Sequence, residues 1–273
     1  MAIKPNKQLG QNFLKDKKML NYEIEIAKLV KTDTVLEIGP GLGNLTELIA
    51  QKAGKVIAIE TDLQFKPVLE ALAKKYDNIQ IIWRDALTVK FPRFNKVIAN
   101  LPFNIAMPLT FKILEHDFNI GILMYQKKMA ERFGAKPGKE RYSKASVLFQ
   151  RVAKSKILKV VSRNKFDPEP EVDCALVEVR KMREKFRVGD NFNTVLEYLF
   201  FQRNNYVDAA LKKLLEGNDS KKVYAAIEDL KLKGIKVNSL RPEEFARIAR
   251  ELNNKKIKVP LISEDRKRKA QKR

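Results

Sequence analysis

The chain holds one cysteine, Cys174, and one histidine, His116, in 273 residues. A lone cysteine excludes an internal disulfide. With a single histidine beside it, a His/Cys metal site is untenable, so no metal is expected. No apolar run reaches the roughly 20 residues that a membrane-spanning helix needs. The first residues, M-A-I-K-P-N-K, lack the apolar segment of a secretory signal. The expectation is therefore a cytoplasmic protein with no membrane partner. Acidic residues are also scarce against basic ones: 33 Asp and Glu face 55 Lys and Arg, a net charge of +22. That exceeds the magnitude of about 2–8 that keeps a small domain soluble. It points to a polyanionic partner, with nucleic acid ahead of a membrane surface.

What is present centres on Thr34–Gly43, T-V-L-E-I-G-P-G-L-G. An apolar run enters three glycines at alternate positions, and Leu45, Leu48 and Ile49 follow at helical spacing. The pattern is strand, glycine turn, helix, the opening unit of a nucleotide-binding α/β sheet. It is not a phosphate loop, because no Gly-Lys-Ser/Thr follows. Nor does it match the dinucleotide fingerprint, since Gly39, Gly41 and Gly43 are followed by Asn44. Glu37 makes the turn acidic. That suits a ligand with positive character, such as the amino group and sulfonium of S-adenosylmethionine.

Further polar residues are expected at the carboxyl edge of the same sheet. Lys55–Glu60 reads as a second strand, and Glu60 lies about twenty residues past the turn, where a ribose-binding acid belongs. Ile79–Trp83 reads as a third strand leading to Asp85, a candidate acceptor for an adenine amino group. Lys96–Ala99 runs into Asn100-Leu101-Pro102-Phe103. An exocyclic adenine amine is a poor nucleophile, because its lone pair is delocalised into the ring. Methylating it requires holding its N–H groups so that the lone pair faces the methyl. The Asn100 side-chain oxygen and a backbone carbonyl of Leu101 or Pro102 can accept those protons, and Phe103 can stack on the ring.

The arm K-P-N-K-Q-L-G-Q-N-F-L-K carries Leu9 and Phe13 as docking residues and amides at Gln8, Gln11 and Asn12. Asp16–Val30 reads as a helix capped by Asp16. Phe166–Val172 (F-D-P-E-P-E-V) is a proline loop, with Phe166 either the second face of an aromatic clamp or a core residue. Cys174 reads as a small buried residue. Beyond Lys181 the apolar spacing turns helical, in four amphipathic segments between Phe192 and Leu252. The expected division is a catalytic domain over 1–182, a helical RNA-contacting domain over 190–254 and a basic tail over 255–273.

L-G-Q-N-F-L at 9–14, E-I-G-P-G-L-G-N-L-T at 37–46, N-L-P-F at 100–103 and F-D-P-E-P-E-V-D at 166–173 occur in the order of the ribosomal RNA adenine dimethyltransferases. The chain resembles their small-subunit branch rather than the erythromycin-resistance branch. The resemblance implies a Rossmann-like class I methyltransferase fold of seven strands with a smaller all-helical C-terminal domain. It implies S-adenosylmethionine as cofactor, bordered by Asn12, Leu14, Gly39, Glu60, Asp85 and Asn100. Asn100, Leu101, Pro102 and Phe103 would hold the target adenine, with Phe166 on its other face. The substrate would be two adjacent adenosines in a hairpin loop near the 3′ end of small-subunit rRNA, and the enzyme is expected to be a monomer. Three departures stand out: Phe103 where many members have tyrosine, Cys174 where serine is usual, and Asn204-Asn205 after Arg203 where the family is often basic.

Two rivals remain at this stage. One is an amine methyltransferase acting on DNA adenine or a protein glutamine amide, against which Leu101 and the arm motif count. The other is an RNA-binding assembly factor that has kept the fold without the activity, against which Glu60, Asp85 and Asn100 count.

Overall fold

The computed structural model describes Pro5 and residues 10–260. Gln8 and Leu9 of the arm and residues 261–273 of the tail lie outside the described residues. The described residues form two compact units. The first holds the chain up to Glu131 together with Ala153–Lys181, and the second holds Arg132–Val152 and the chain from Met182 onward.

In the first unit the elements run β1 (Phe13–Leu14), α1 (Lys17–Ala27), β2 (Thr34–Ile38), α2 (Asn44–Lys52), β3 (Lys55–Glu60), α3 (Lys66–Lys75), β4 (Ile79–Trp83), β5 (Lys96–Asn100), α4 (Ala106–Leu114) and β6 (Ile120–Gln126). α5 (Lys127–Phe133) leads out of this unit to α6 (Lys144–Val152) of the second, and the chain returns with β7 (Ala153–Val161), β8 (Phe166–Asp167) and β9 (Cys174–Lys181). A seven-stranded sheet has the order β4-β3-β2-β5-β6-β9-β7, so the expected α/β class and strand number are present. β4, β3, β2, β5 and β6 are parallel, while β9 runs antiparallel to both β6 and β7. The central strands are near-continuous apolar runs because they are covered on both faces.

The boundaries of β2, β3 and β4 match the apolar runs. Helix α1 stops three residues short of Val30. Lys28 takes a left-handed φ of 46°, and the Asp33 carboxylate accepts the Val30 N–H at 2.8 Å, so the chain turns. As expected, Asp16 caps α1, accepting from the Met19 N–H at 3.0 Å.

A buried ion pair secures the amino-terminal edge of the sheet, away from the glycine turn. Lys96 Nζ lies 2.9 Å from Asp33 and also donates to the Ala27 and Lys28 carbonyls at the end of α1. Asn95 donates to the other Asp33 oxygen. Burial by itself would raise the Asp33 carboxyl; Lys96, the Val30 N–H and Asn95 outweigh it and hold the group below its ordinary value. This contribution is therefore present at neutral pH and is lost as pH falls through the depressed pKa. Lys96→Ala, which strands the carboxylate, is expected to cost about 3 kcal/mol in urea unfolding at pH 7. The loss should shrink as the urea midpoint is measured at progressively more acid pH.

In the second unit, α6, α7 (Phe192–Phe201), α8 (Val207–Leu214), α9 (Ser220–Leu230) and α10 (Pro242–Asn254) share one core. Residues 132–152, placed with the catalytic domain in the sequence reading, group here with the helices. Ala135, Tyr142 and Val147 are buried in the helical core, and the Tyr142 hydroxyl donates to the Leu240 carbonyl at 2.8 Å. An amphipathic pattern shows that a helix has an apolar face; it does not show which core receives it.

Candidate active site

Strand succession reverses between β2 and β5: the chain builds outward from β2 to β4 on one side, then from β5 to β6 on the other. Such a switch point leaves a crevice at the carboxyl ends of the two strands, where open α/β sheets bind ligands. A cleft of about 730 Å³ lies there. Its walls are the arm from Gly10 to Leu14, the glycine turn after β2, Glu60 to Thr61 after β3, and Asn100 to Phe103 after β5. The structure thus brings Asn12, Leu14, Gly39, Glu60 and Asn100–Phe103 around one space.

The glycine turn is shaped from both sides. Gly41 has φ 52°, and a Cβ there would come within 2.7 Å of the Phe13 ring, so side chains are excluded by backbone and by neighbour. Beneath the turn, Glu60 Oε2 accepts the Gly41 N–H at 3.1 Å, while its Oε1 accepts the N–H groups of Thr61 and Asp62 at 2.8 and 2.9 Å. Burial raises the Glu60 carboxyl, and these N–H groups oppose the rise. A carboxylate has about four lone-pair sites, so one remains for an incoming hydroxyl.

The arm is fixed by a pairing that was not legible in the sequence. β1 and β8 form a two-stranded ladder, Phe13 opposite Asp167 and Leu14 opposite Phe166. Lys165 Nζ lies 2.6 Å from Asp16, and Gln11 donates to Asp62 at 2.8 Å. Phe13 meets the Phe65 ring edge-on at 5.6 Å. Strands of two residues are too short to show any period, so only the docking residue Phe13 was readable.

Asn100 ends β5, and its Oδ1 is buried without a hydrogen-bond partner among the described residues. The Pro102 carbonyl accepts the Ile105 N–H at 3.2 Å. Gly39 sits below Pro102, so the two motifs close on each other. Phe103 is half-buried at the rim. Phe166 departs from the clamp expectation: it is 1% exposed, packs in the core of the sheet unit, and meets the Phe103 ring edge-on at 6.3 Å and 65°. In this arrangement it braces Phe103 and offers no open face. Pairing of β8 with the arm turns its side chain inward.

Asp85 does not line the cleft. It is exposed in the turn after β4, where its Oδ1 accepts the Leu87 N–H at 2.8 Å. Lys112 of α4, unremarked in the sequence, holds this turn by donating to the Ala86, Leu87 and Val89 carbonyls. Cys174 is fully buried and its thiol is pushed up to about 12 by burial, so it is chemically inert at neutral pH. Among the described residues no group of His, Cys, Asp and Glu could hold a metal ion, and no helix is long and apolar enough to cross a membrane.

Glu37 carries an unusual carboxyl. It is 1% exposed, burial pushes it up to about 8 against the pull of the neighbouring Thr46 hydroxyl, and the Glu60 charge adds to the rise. Its Oε2 has no hydrogen-bond partner of good geometry among the described residues. A second acid, Glu23 of α1, lies behind it and was missed in the sequence. Its signal was there: Met19, Leu20, Glu23 and Ala27 are one helical stripe, and all are buried.

A sequence profile for the ribosomal RNA adenine dimethylases matches residues 2–254. The chain belongs to this family. It is 41% identical over 246 residues to a probable ribosomal RNA small subunit methyltransferase A of Thermococcus gammatolerans, covering 89% of this chain and 87% of the relative. The crystal structure of a dimethyladenosine transferase from Plasmodium falciparum matches with a TM-score of 0.79 at 29% identity, over 90% of this chain and 98% of that one. The 23S rRNA methyltransferase ErmE matches with a TM-score of 0.67 at 25% identity, over 89% and 100%. As a ribosomal RNA adenine dimethylase, the chain uses S-adenosylmethionine. The cleft fits that molecule: the glycine turn admits close approach, Glu60 keeps a lone pair for a ribose hydroxyl, and Glu37 offers an unpartnered oxygen to a cation.

The Glu37 carboxyl gives this fit a measurable consequence. Without cofactor it keeps its proton up to about pH 8, whereas an unfolded chain loses it near 4.5. A cation beside it favours the ionised form, so binding should release a proton. Cofactor affinity is then expected to rise with pH between about 6 and 7.5, by up to about tenfold per unit, as Glu37 ionises more readily. Calorimetry in buffers of different ionisation enthalpy reads the proton directly, and Glu37→Gln should remove it.

Proposed function

We propose that this dimethyltransferase places methyl groups on N6 of two adjacent adenosines in a hairpin loop near the 3′ end of small-subunit rRNA, during subunit maturation. The observation that carries the reading is Asn100 at the switch point, an amide with a buried unpartnered oxygen in the wall of a cleft built for the cofactor. The small-subunit assignment is supported by the names of the sequence relatives. The protein acts in the cytosol, as a monomer and without a metal.

The cofactor supplies an activated methyl group on a sulfonium. The chain does the rest by positioning. Asn100 Oδ1 accepts one N6 proton. A backbone carbonyl of Leu101 or Pro102 accepts the other; the Pro102 carbonyl already accepts the Ile105 N–H, which leaves Leu101 the more open of the two. With the N–H groups held, two in the first transfer and the one that remains in the second, the nitrogen lone pair is directed at the methyl, a gain of geometry rather than of basicity, and N6 gives up one proton to water for each methyl it gains. Phe103 stacks on the flipped base, braced from the side by Phe166. A base in a loop is cheaper to extrude than one in a duplex. Phosphates around it meet a chain of net charge +22.

Primer extension tests the site. Dimethylation blocks the pairing edge of adenine, so subunits incubated with protein and cofactor should gain stops at two adjacent adenosines of the hairpin. Stops confined to another RNA segment would overturn the assignment. Phe103→Ala should raise KM for subunits about tenfold, within the 1–3 kcal/mol that base stacking supplies, while cofactor binding by calorimetry stays unchanged.

A further inference from the structure

Among the described residues, Glu23 is a fully buried acid that the methyl-transfer scheme does not use, and unlike Asp33 it has no cationic partner. It is 0% exposed on the inner stripe of α1. Neither of its oxygens has a hydrogen-bond partner of good geometry among the described residues, and the same holds for Glu37 Oε2, Asn100 Oδ1 and Thr46 Oγ1. These groups come from α1, β2, β5 and α2, and Glu37 and Asn100 line the cleft. Glu23 lies beside the Asn100 amide and within the field of Glu37. Glu60 in turn bears on Glu37. Among the described residues no cation offsets these charges.

One arrangement satisfies both Glu23 and Asn100. Two acids this close in an apolar wall do not both ionise. A neutral carboxylic acid has one O–H donor and a carbonyl acceptor. Its carbonyl can take the Asn100 Nδ2–H, and its O–H can go to Glu37 Oε2. Asn100 then has its amide nitrogen tied back and its oxygen left for a donor in the cleft. When a cation enters the cleft, Glu37 is the acid that gives up its proton, and Glu23 stays neutral.

We infer that Glu23 is a positioning residue, a buried neutral acid that bridges Glu37 under the cofactor to Asn100 under the target base and so fixes which end of the Asn100 amide faces the substrate. The inference rests on the proposed role of Asn100. Burial, with the Glu37 charge adding to it, holds the Glu23 carboxyl well above the usual range, against the pull of Asn100. The bridge therefore fails as pH rises through the raised Glu23 pKa, when Glu23 ionises and can no longer donate.

Two readouts test it. The first uses the cofactor-free protein and does not depend on the substrate. The Asn100 side-chain NH2 pair is assigned in a nitrogen–proton spectrum by its loss in Asn100→Ala. In Glu37→Gln, which removes the neighbouring titration, the pair should still shift as pH rises above neutral. In Glu23→Gln/Glu37→Gln it should not. The second readout is methyl transfer. Glu23→Gln, which keeps a donor and an acceptor, should stay within about threefold of wild type, with its alkaline limb moved to higher pH. Glu23→Leu, which keeps the volume and removes both, should lose at least about tenfold in kcat with cofactor KM nearly unchanged. An Asn100 signal indifferent to pH in Glu37→Gln would overturn the inference, as would a folded Glu23→Leu with wild-type kcat. If Glu23→Leu does not fold, the Glu23→Gln spectra and pH profile decide alone. If wild type itself transfers no methyl to rRNA, the proposed function fails, while the spectra still report on the bridge.

Discussion

Asn100→Ala is expected to lower methyl transfer by about a thousandfold, close to 4 kcal/mol of transition-state stabilisation, as for loss of one preorganised polar contact at a reacting centre. Binding of small subunits should stay within about twofold, because affinity for RNA rests on phosphate contacts spread over a basic chain. The physical reason lies in the amine. An adenine N6 has no available lone pair until its hydrogens are held out of conjugation. The Asn100 oxygen is the side-chain acceptor at the end of β5, buried and unpartnered until a donor arrives. Single-turnover kinetics and filter binding separate the two effects. Asn100→Asp tests the acceptor differently: it keeps an oxygen but adds a charge beside Glu23 and Glu37, and should also fail. An equal loss of transfer and of RNA affinity in Asn100→Ala would mean that the residue supports the fold rather than the reaction.

Glu60→Ala should weaken cofactor binding by at least about a hundredfold and lower stability by several kcal/mol, since each stranded N–H costs about 1–3 kcal/mol. The side chain accepts from Gly41, Thr61 and Asp62, so its removal releases the glycine turn and the Thr61–Asp62 segment after β3 together. Glu60→Gln separates the roles. Its amide can accept through one oxygen only, so the Gly41 N–H or the Thr61–Asp62 pair loses its partner. Calorimetric titration with S-adenosylhomocysteine and thermal melting should show the same order, wild type above Gln above Ala. Wild-type cofactor affinity in Glu60→Ala would remove the acid from the binding site.

How legible this was differs from element to element. β2 and β3 could be read to the residue, because strands buried on both faces have to be apolar throughout, and the turn that follows β2 is written in glycine; β4, an edge strand with Gln80 exposed, was read from its run of Ile79, Ile81, Ile82 and Trp83. Convergence of the glycine turn, Glu60 and Asn100–Phe103 was readable too, since all follow strands and the carboxyl edge of a parallel sheet collects them. Contacts between distant segments were not. Nothing local announces that Phe13–Leu14 pairs with Phe166–Asp167, or that this pairing buries the Phe166 ring. Asp85 was read from its position after a strand, and position alone could not show that its carboxylate closes its own turn. Glu23 was visible as an acid on an apolar stripe, but its neighbours come from three other elements.

The most direct test of the account is nucleoside analysis after transfer from labelled S-adenosylmethionine. Small subunits lacking adenine dimethylation, large subunits and DNA are offered in parallel, to wild type and to Asn100→Ala. The account predicts labelled N6,N6-dimethyladenosine from small-subunit rRNA with wild type, and almost none with Asn100→Ala. Label recovered only from large-subunit RNA or DNA, or as a base other than dimethyladenosine, would contradict it.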